Sequence, residues 1–217
     1  MGRPSAREQV LDAYEDLLIE KGLAAVTLDA VASRADVSKG GLLYHFKSKD
    51  ALLDGLIHRL LDRTRSDMEH ARNAPEGMVR YLLSTSVTDA DMAKPAHRTS
   101  VAALRLLGSE PKADEALATS FRMWTDLAHE YVDDPLTAEL IGLIGDGLYL
   151  RATLMGRDMR TPVLDDLPEV FRRLGITDSR VIGSGAQDSG TQDSGTRENR
   201  EHGFPSGDLD GEGTDER

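Results

Sequence analysis

The 217-residue chain has a mass of 23.7 kDa, is 39% hydrophobic and carries a formal net charge of −12 at pH 7. That length and apolar content suffice for a sizeable core in one or two small domains. The chain contains no cysteine, which excludes disulfides, thiolate metal sites and a cysteine nucleophile and fits a reducing cytoplasm, the compartment expected here.

The N-terminal sequence MGRPSAREQV has no apolar stretch that could act as a secretory signal. Helical spacing then recurs throughout, with few strand-like alternations. A first helix is predicted over 5–21, opened by the Ser5/Glu8 capping box and closed at Gly22, with Val10, Leu11, Tyr14, Leu17 and Leu18 on one face. Thr27 is placed to cap a helix over 28–34. Ala35-Asp36-Val37 forms a tight turn, Ser38 caps a short helix over 39–46, and Ser48 caps a longer one reaching about Ala71. Pro75, Pro95, Pro111 and Pro135 punctuate helical stretches near 76–87, 96–107, 112–132 and 136–156. A last amphipathic stretch runs from Leu167 to Leu174. Residues 176–217 hold eight glycines, ten acids against four arginines and a tandem QDSGT repeat. Such a segment buries too little apolar surface to offset its ordering entropy, so disorder is expected there.

The charge is unevenly distributed. Residues 1–49 hold seven basic and seven acidic side chains, so the entire −12 lies beyond them. From Ser38 to Lys49 the only charges are three lysines, with His45 among them. A neutral head with a basic strip, on an acidic body, can still face a phosphate backbone.

Residues 27–49, TLDAVASRADVSKGGLLYHFKSK, describe two short helices around a tight turn, the unit that lays its second helix in a major groove. From spacing alone, an ordinary helical hairpin fits equally well. The stretch resembles the DNA-binding head of TetR-type regulators. Thr27, Ala35, Val37, Ser38, His45, Phe46, Lys49 and Asp50 stand at the family's characteristic places, together with Gly2-Arg3-Pro4 and Gly22. Two positions depart from the pattern. Asp36 replaces the usual turn glycine, and Leu43 stands where Tyr is usual, with Tyr44 one place later.

The resemblance implies an all-α fold with an N-terminal three-helix DNA-binding domain (1–47), a helical ligand-binding and dimerisation domain (48–175) and the acidic tail (176–217). It also implies residue roles. Thr27 and Ser38 would bring helix N-termini to phosphates. Lys39, Gly41, Tyr44 and His45 would face the groove, and Gly40 would let the backbone approach. Lys49 would hold a phosphate, and Arg3 would reach the minor groove.

In the body, Tyr81, Phe121, Met123 and Trp124 supply aromatic and flexible apolar surface, while Asp146 and Tyr149 add polarity to the most apolar helix. Together they form a candidate pocket for a largely apolar small-molecule effector, although each also fits as plain core. The run 140–156 contains Asp146 and Arg151; a membrane span needs about 20 largely uncharged apolar residues, so the run reads as a buried helix and no membrane partner is expected. Leu140, Ile144 and Leu148, with Leu167, Val170 and Phe171, are the candidate interface of a homodimer, as a palindromic operator in double-stranded DNA requires.

His129-Glu130 lacks the second His of a zinc-protease motif, and Asp208, Asp210 and Glu212 lack the closing Glu of a calcium loop. No catalytic residue, metal site or cofactor is expected, and no enzyme. The function expected is that of a transcriptional repressor released from its operator by a small molecule, repression resting on analogy with the family. The alternative is a helical ligand-binding or sequestering protein that no longer binds DNA.

Overall fold

The computed structural model describes residues 5–155 and 160–176. They form ten α-helices and no strand: α1 (Ala6–Lys21), α2 (Leu28–Arg34), α3 (Lys39–His45), α4 (Lys49–Arg72), α5 (Met78–Thr88), α6 (Pro95–Leu104), α7 (Pro111–Tyr131), α8 (Pro135–Met155), α9 (Pro162–Asp165) and α10 (Leu167–Arg173). The acidic tail, apart from Ile176, lies outside the described residues.

Local chemistry sets the helix starts. The hydroxyls of Ser5, Thr27, Ser38 and Ser48 accept from the backbone N–H groups of Glu8, Ala30, Gly41 and Ala51 at 3.0–3.3 Å, satisfying donors that have no partner within the helix. Pro95, Pro111 and Pro135 each open a helix, where the missing N–H costs nothing. Gly22 closes α1 at φ 76°, a value that favours glycine. The expected return half of the first capping box is replaced, because the Glu8 carboxylate turns to Arg59 and Arg7, which offer charge-assisted hydrogen bonds. The 3₁₀ turn Leu23–Ala25 and the short α9 were not legible in the spacing.

Two main cores result. The first gathers Leu11, Leu18, Val31, Leu42, Phe46 and Leu56, and it draws in Ala102, Leu106 and Ala113 from α6, α7 and the link between them. The second lies between α5, α7, α8 and α10, around Leu83, Leu127, Ile141 and Phe171. A small cluster of Leu60, Ala103, Ala116 and Leu117 stands between α4, α6 and α7. The head is therefore packed against the body and not hung from it.

A buried polar seam reinforces that contact. Glu15, on the inner side of α1, accepts from Arg59 and Arg63 of α4 and from Thr99 of α6. Arg59 also reaches Asp12 and Glu8. Arg98 of α6 pairs with Asp16, which Arg34 of α2 also holds.

Helix α8 has two unlike sides. A Cβ at Gly142 would lie 2.5 Å from Thr125 Oγ1, so this glycine lets α8 press onto α7, whereas one at Gly145 would make an ordinary 3.4 Å contact with Leu82 of α5. The opposite side leaves Leu136, Leu140, Leu143, Leu150 and Leu154 exposed. No helix among the described residues is long and apolar enough to cross a membrane.

Candidate DNA-binding face and ligand cavity

The α2–turn–α3 unit is fixed from inside. Val31, Leu42 and Phe46 are buried, and Phe46 seats its ring against Gly55 of α4, where a Cβ would come within 2.8 Å of it. The turn uses Asp36 at φ 54°, a left-handed backbone that Asp tolerates better than most residues. Leu42 and Phe46, four residues apart, hold one face of α3 inward and turn the other outward.

That outward face carries Lys39, Gly40, Leu43, Tyr44 and His45, with Lys47 and Lys49 beyond its end, all exposed. Tyr44 is 83% exposed and meets His45 edge to face at 5.0 Å. Lys39 Nζ lies 2.9 Å from Asp29, an exposed pair that contributes little and that a phosphate can replace. The hydroxyls of Thr27 and Ser38 are engaged as caps. Gly41 is half-buried, and a Cβ there would sit 3.3 Å from Ser38 Oγ. Gly40 differs, since a Cβ there would meet only Ser38 Oγ at 3.9 Å. Nothing among the described residues requires glycine at that position. Arg3 lies outside the described residues.

A cavity of about 110 Å³ opens between α4, α5, α6, α7 and α8. Phe121, Trp124, Asp146 and Tyr149 line it, four of the six residues expected. Met123 instead packs on the body core. Tyr81 stands behind the wall and donates to Asp67, which does line the cavity, at 2.6 Å. Burial holds the Asp67 carboxyl above its ordinary pKa and pushes that of Asp146 up to about 6. His97 Nδ1 lies 2.8 Å from the Tyr149 hydroxyl, and burial lowers the pKa of its ring, keeping it neutral near pH 7.

The spacing gave no sign of Arg63, Asp67, Asp89 and His97 as cavity residues. One available signal was an ionisable residue inside an apolar stripe: Glu15 follows Leu11 and precedes Leu18, and Arg59 and Arg63 continue the line of Leu52 and Leu56.

Of the candidate interface residues, Leu148, Leu167 and Phe171 are buried within the single chain, because α5, α7, α8 and α10 close around them. Ile144 and Val170 are half-buried, and Leu140 is exposed. The apolar surface left uncovered is a different set, aligned with Leu140 along α8.

Geometry of this kind defines a helix-turn-helix DNA-binding protein. Residues 10–56 match the family of bacterial regulatory proteins known as the tetR family. The HTH-type transcriptional regulator BetI of Burkholderia thailandensis is 30% identical over 166 residues, covering 71% of this chain and 85% of that one. The chain belongs to the TetR family and is a helix-turn-helix transcriptional regulator. Its fold is shared by a putative transcriptional regulator of Streptomyces coelicolor (TM-score 0.61, 23% identity, 80% of this chain and 100% of that one). It is also shared by the multidrug-binding protein EbrR complexed with malachite green (TM-score 0.58, 23% identity, 79% and 98%).

Proposed function

We propose that the chain acts as a homodimeric repressor that leaves a palindromic operator when a small molecule fills the α4–α8 cavity. One observation carries this reading: a single helix, α4, starts at Lys49 beside the exposed face of α3 and supplies Leu60, Arg63, Thr64 and Asp67 to the cavity wall. At about 1.5 Å per residue, Lys49 and Asp67 stand roughly 27 Å apart along one rigid element. Arg63 extends the link, because it lines the cavity and also donates to Glu15 of α1 and to the Pro95 carbonyl of α6. A ligand favouring another position of α4 would shift the recognition helices by its differential affinity for the two arrangements.

On this reading Lys49 and the N-termini at Thr27 and Ser38 hold phosphates, while Lys39, Tyr44 and His45 contact bases. Gly40 gives the DNA room, and Arg3 serves as a minor-groove arm. The head (1–47) and body (48–175) divide these tasks, and the protein works in the cytoplasm. A second copy packs along α8. Leu136, Leu140, Leu143, Gly147, Leu150 and Leu154 recur at alternating intervals of four and three, a helix-pairing seam, and a Cβ at Gly147 would meet nothing among the described residues within 4 Å.

Fluorescence anisotropy with duplex DNA flanking the chain's own gene tests the DNA face. Binding should weaken steeply with salt. Lys49→Ala should lower the salt slope by about 1 on all sequences alike. His45→Ala should cost about 1–3 kcal/mol on the preferred sequence and little elsewhere. Salt-independent binding, or binding indifferent to both changes, would contradict the assignment.

A further inference from the structure

The cavity differs in one respect from an apolar pocket. Its walls hold three carboxylates, Asp67, Asp89 and Asp146, and a single cation, Arg63. Two of the carboxylates already have partners: Asp89 accepts from Lys94 at 2.6 Å and Asp67 from Tyr81. Arg63 is committed to Glu15, Thr99 and the Pro95 carbonyl. His97 is occupied by Tyr149. Asp146 has no hydrogen bond or ion pair among the described residues, although it sits half-buried in the middle of α8. The rings of Trp124, Phe121 and Tyr149 line the same cavity. A desolvated carboxylate is costly unless a cation answers it, and aromatic faces attract the same kind of charge.

We propose that the cavity takes an organic cation with an apolar body, an amine or quaternary ammonium, whose charge is answered by Asp146 while its body lies among Phe121, Trp124 and Tyr149. The inference rests on the ligand-controlled reading above and deepens it. Arg63 is drawn away from that carboxylate, since its Nη1 donates to Glu15, to Thr99 and to the Pro95 carbonyl, none of which lines the cavity. The neutral hydroxyls of Thr64, Ser86, Ser100 and Ser120 complete a lining that tolerates a cation without supplying a second.

The test exploits Trp124, the only tryptophan in the chain, whose emission reports occupancy of the cavity. The full chain is titrated with phenyltrimethylammonium, with its uncharged isostere tert-butylbenzene and with benzoate, and the same samples are tested for DNA binding by anisotropy. The cation should perturb Trp124 emission saturably and bind at least tenfold more tightly than the isostere, with benzoate weakest. Asp146→Asn should erase most of the cation's advantage and leave binding of the isostere within about twofold. Thermal unfolding of the variant shows that the fold is retained.

The proposal is overturned if the isostere or benzoate binds as well as the cation, if Asp146→Asn leaves the cation's affinity unchanged, or if the cation leaves Trp124 unaffected. The DNA readout separates this failure from failure of the functional reading. An uncharged or anionic probe that binds the cavity and releases DNA keeps ligand control and removes the cation assignment. A cation that binds through Asp146 without altering DNA affinity keeps the cation site and removes ligand control.

Discussion

Arg59 Nη1 of α4 lies 2.9 Å from Glu15 Oε1 of α1, and Glu15 is only 2% exposed. The pair lies where the DNA-binding head meets the body. Glu15 also collects Thr99 and Arg63, so α1, α4 and α6 share one buried anion. Removing one member of a buried pair costs about 3–5 kcal/mol when the other is left uncompensated, and the lower end applies here because Arg59 keeps Asp12 and Glu8. Glu15→Ala should therefore lower stability by about 3 kcal/mol in urea unfolding. Replacing Glu15 and Arg59 together with Leu and Met should recover much of that loss. A single change costing under 0.5 kcal/mol would show that the seam contributes little to the packing of head on body.

Gly40 offers a case in which stability and function should move in opposite directions. Alanine fits the site, with only Ser38 Oγ nearby among the described residues, at 3.9 Å, and glycine in a helix costs about 1 kcal/mol relative to alanine. Gly40→Ala should raise the unfolding free energy by roughly 0.5–1 kcal/mol while weakening DNA binding. Tighter or unchanged DNA binding would mean that the backbone there is not approached.

Asp146 sets a pH dependence. Its folded pKa is raised to about 6 from the ordinary 3.8, so between those values the folded chain binds more protons than the unfolded one. Stability from this group is then lost as pH rises through that window. Asp146→Asn removes the penalty. With allowance for partial exposure, it should stabilise the protein by about 1–2 kcal/mol at pH 7.5, and the gain should vanish near pH 4. Urea midpoints across that range check it. A gain that persists at pH 4 would point to packing and not to charge.

Leu143, 64% exposed, lies near the centre of the α8 seam. Leu143→Glu should convert a dimer to a monomer in sedimentation velocity while leaving the helical circular dichroism intact. Persistence of the dimer would place its interface elsewhere.

How much of this was legible in the sequence follows physical lines. Caps and first-turn prolines are local, so Ser5, Thr27, Ser38, Ser48, Pro95, Pro111 and Pro135 marked helix starts that the structure reproduces. The three-dimensional use of α8 was not local. Its apolar residues run nearly all round, and spacing could not say that Leu148 would be spent on the chain's own core while Leu143 stayed outside. The cavity was half legible. The aromatics and Asp146 announced themselves as exceptions in their helices, whereas Asp67 and His97 gain meaning only when α4, α6 and α8 converge.

The central claim, that the outward face of α3 reads DNA in a symmetric dimer, is tested most directly by selecting duplexes bound by the full chain from a random pool. The account predicts enrichment of a palindrome whose half-sites lie about one helical turn apart, or a multiple of it, and a changed half-site when Tyr44 and His45 are replaced by alanine. Failure to enrich any sequence, or the same enriched sequence from the doubly substituted chain, would contradict it.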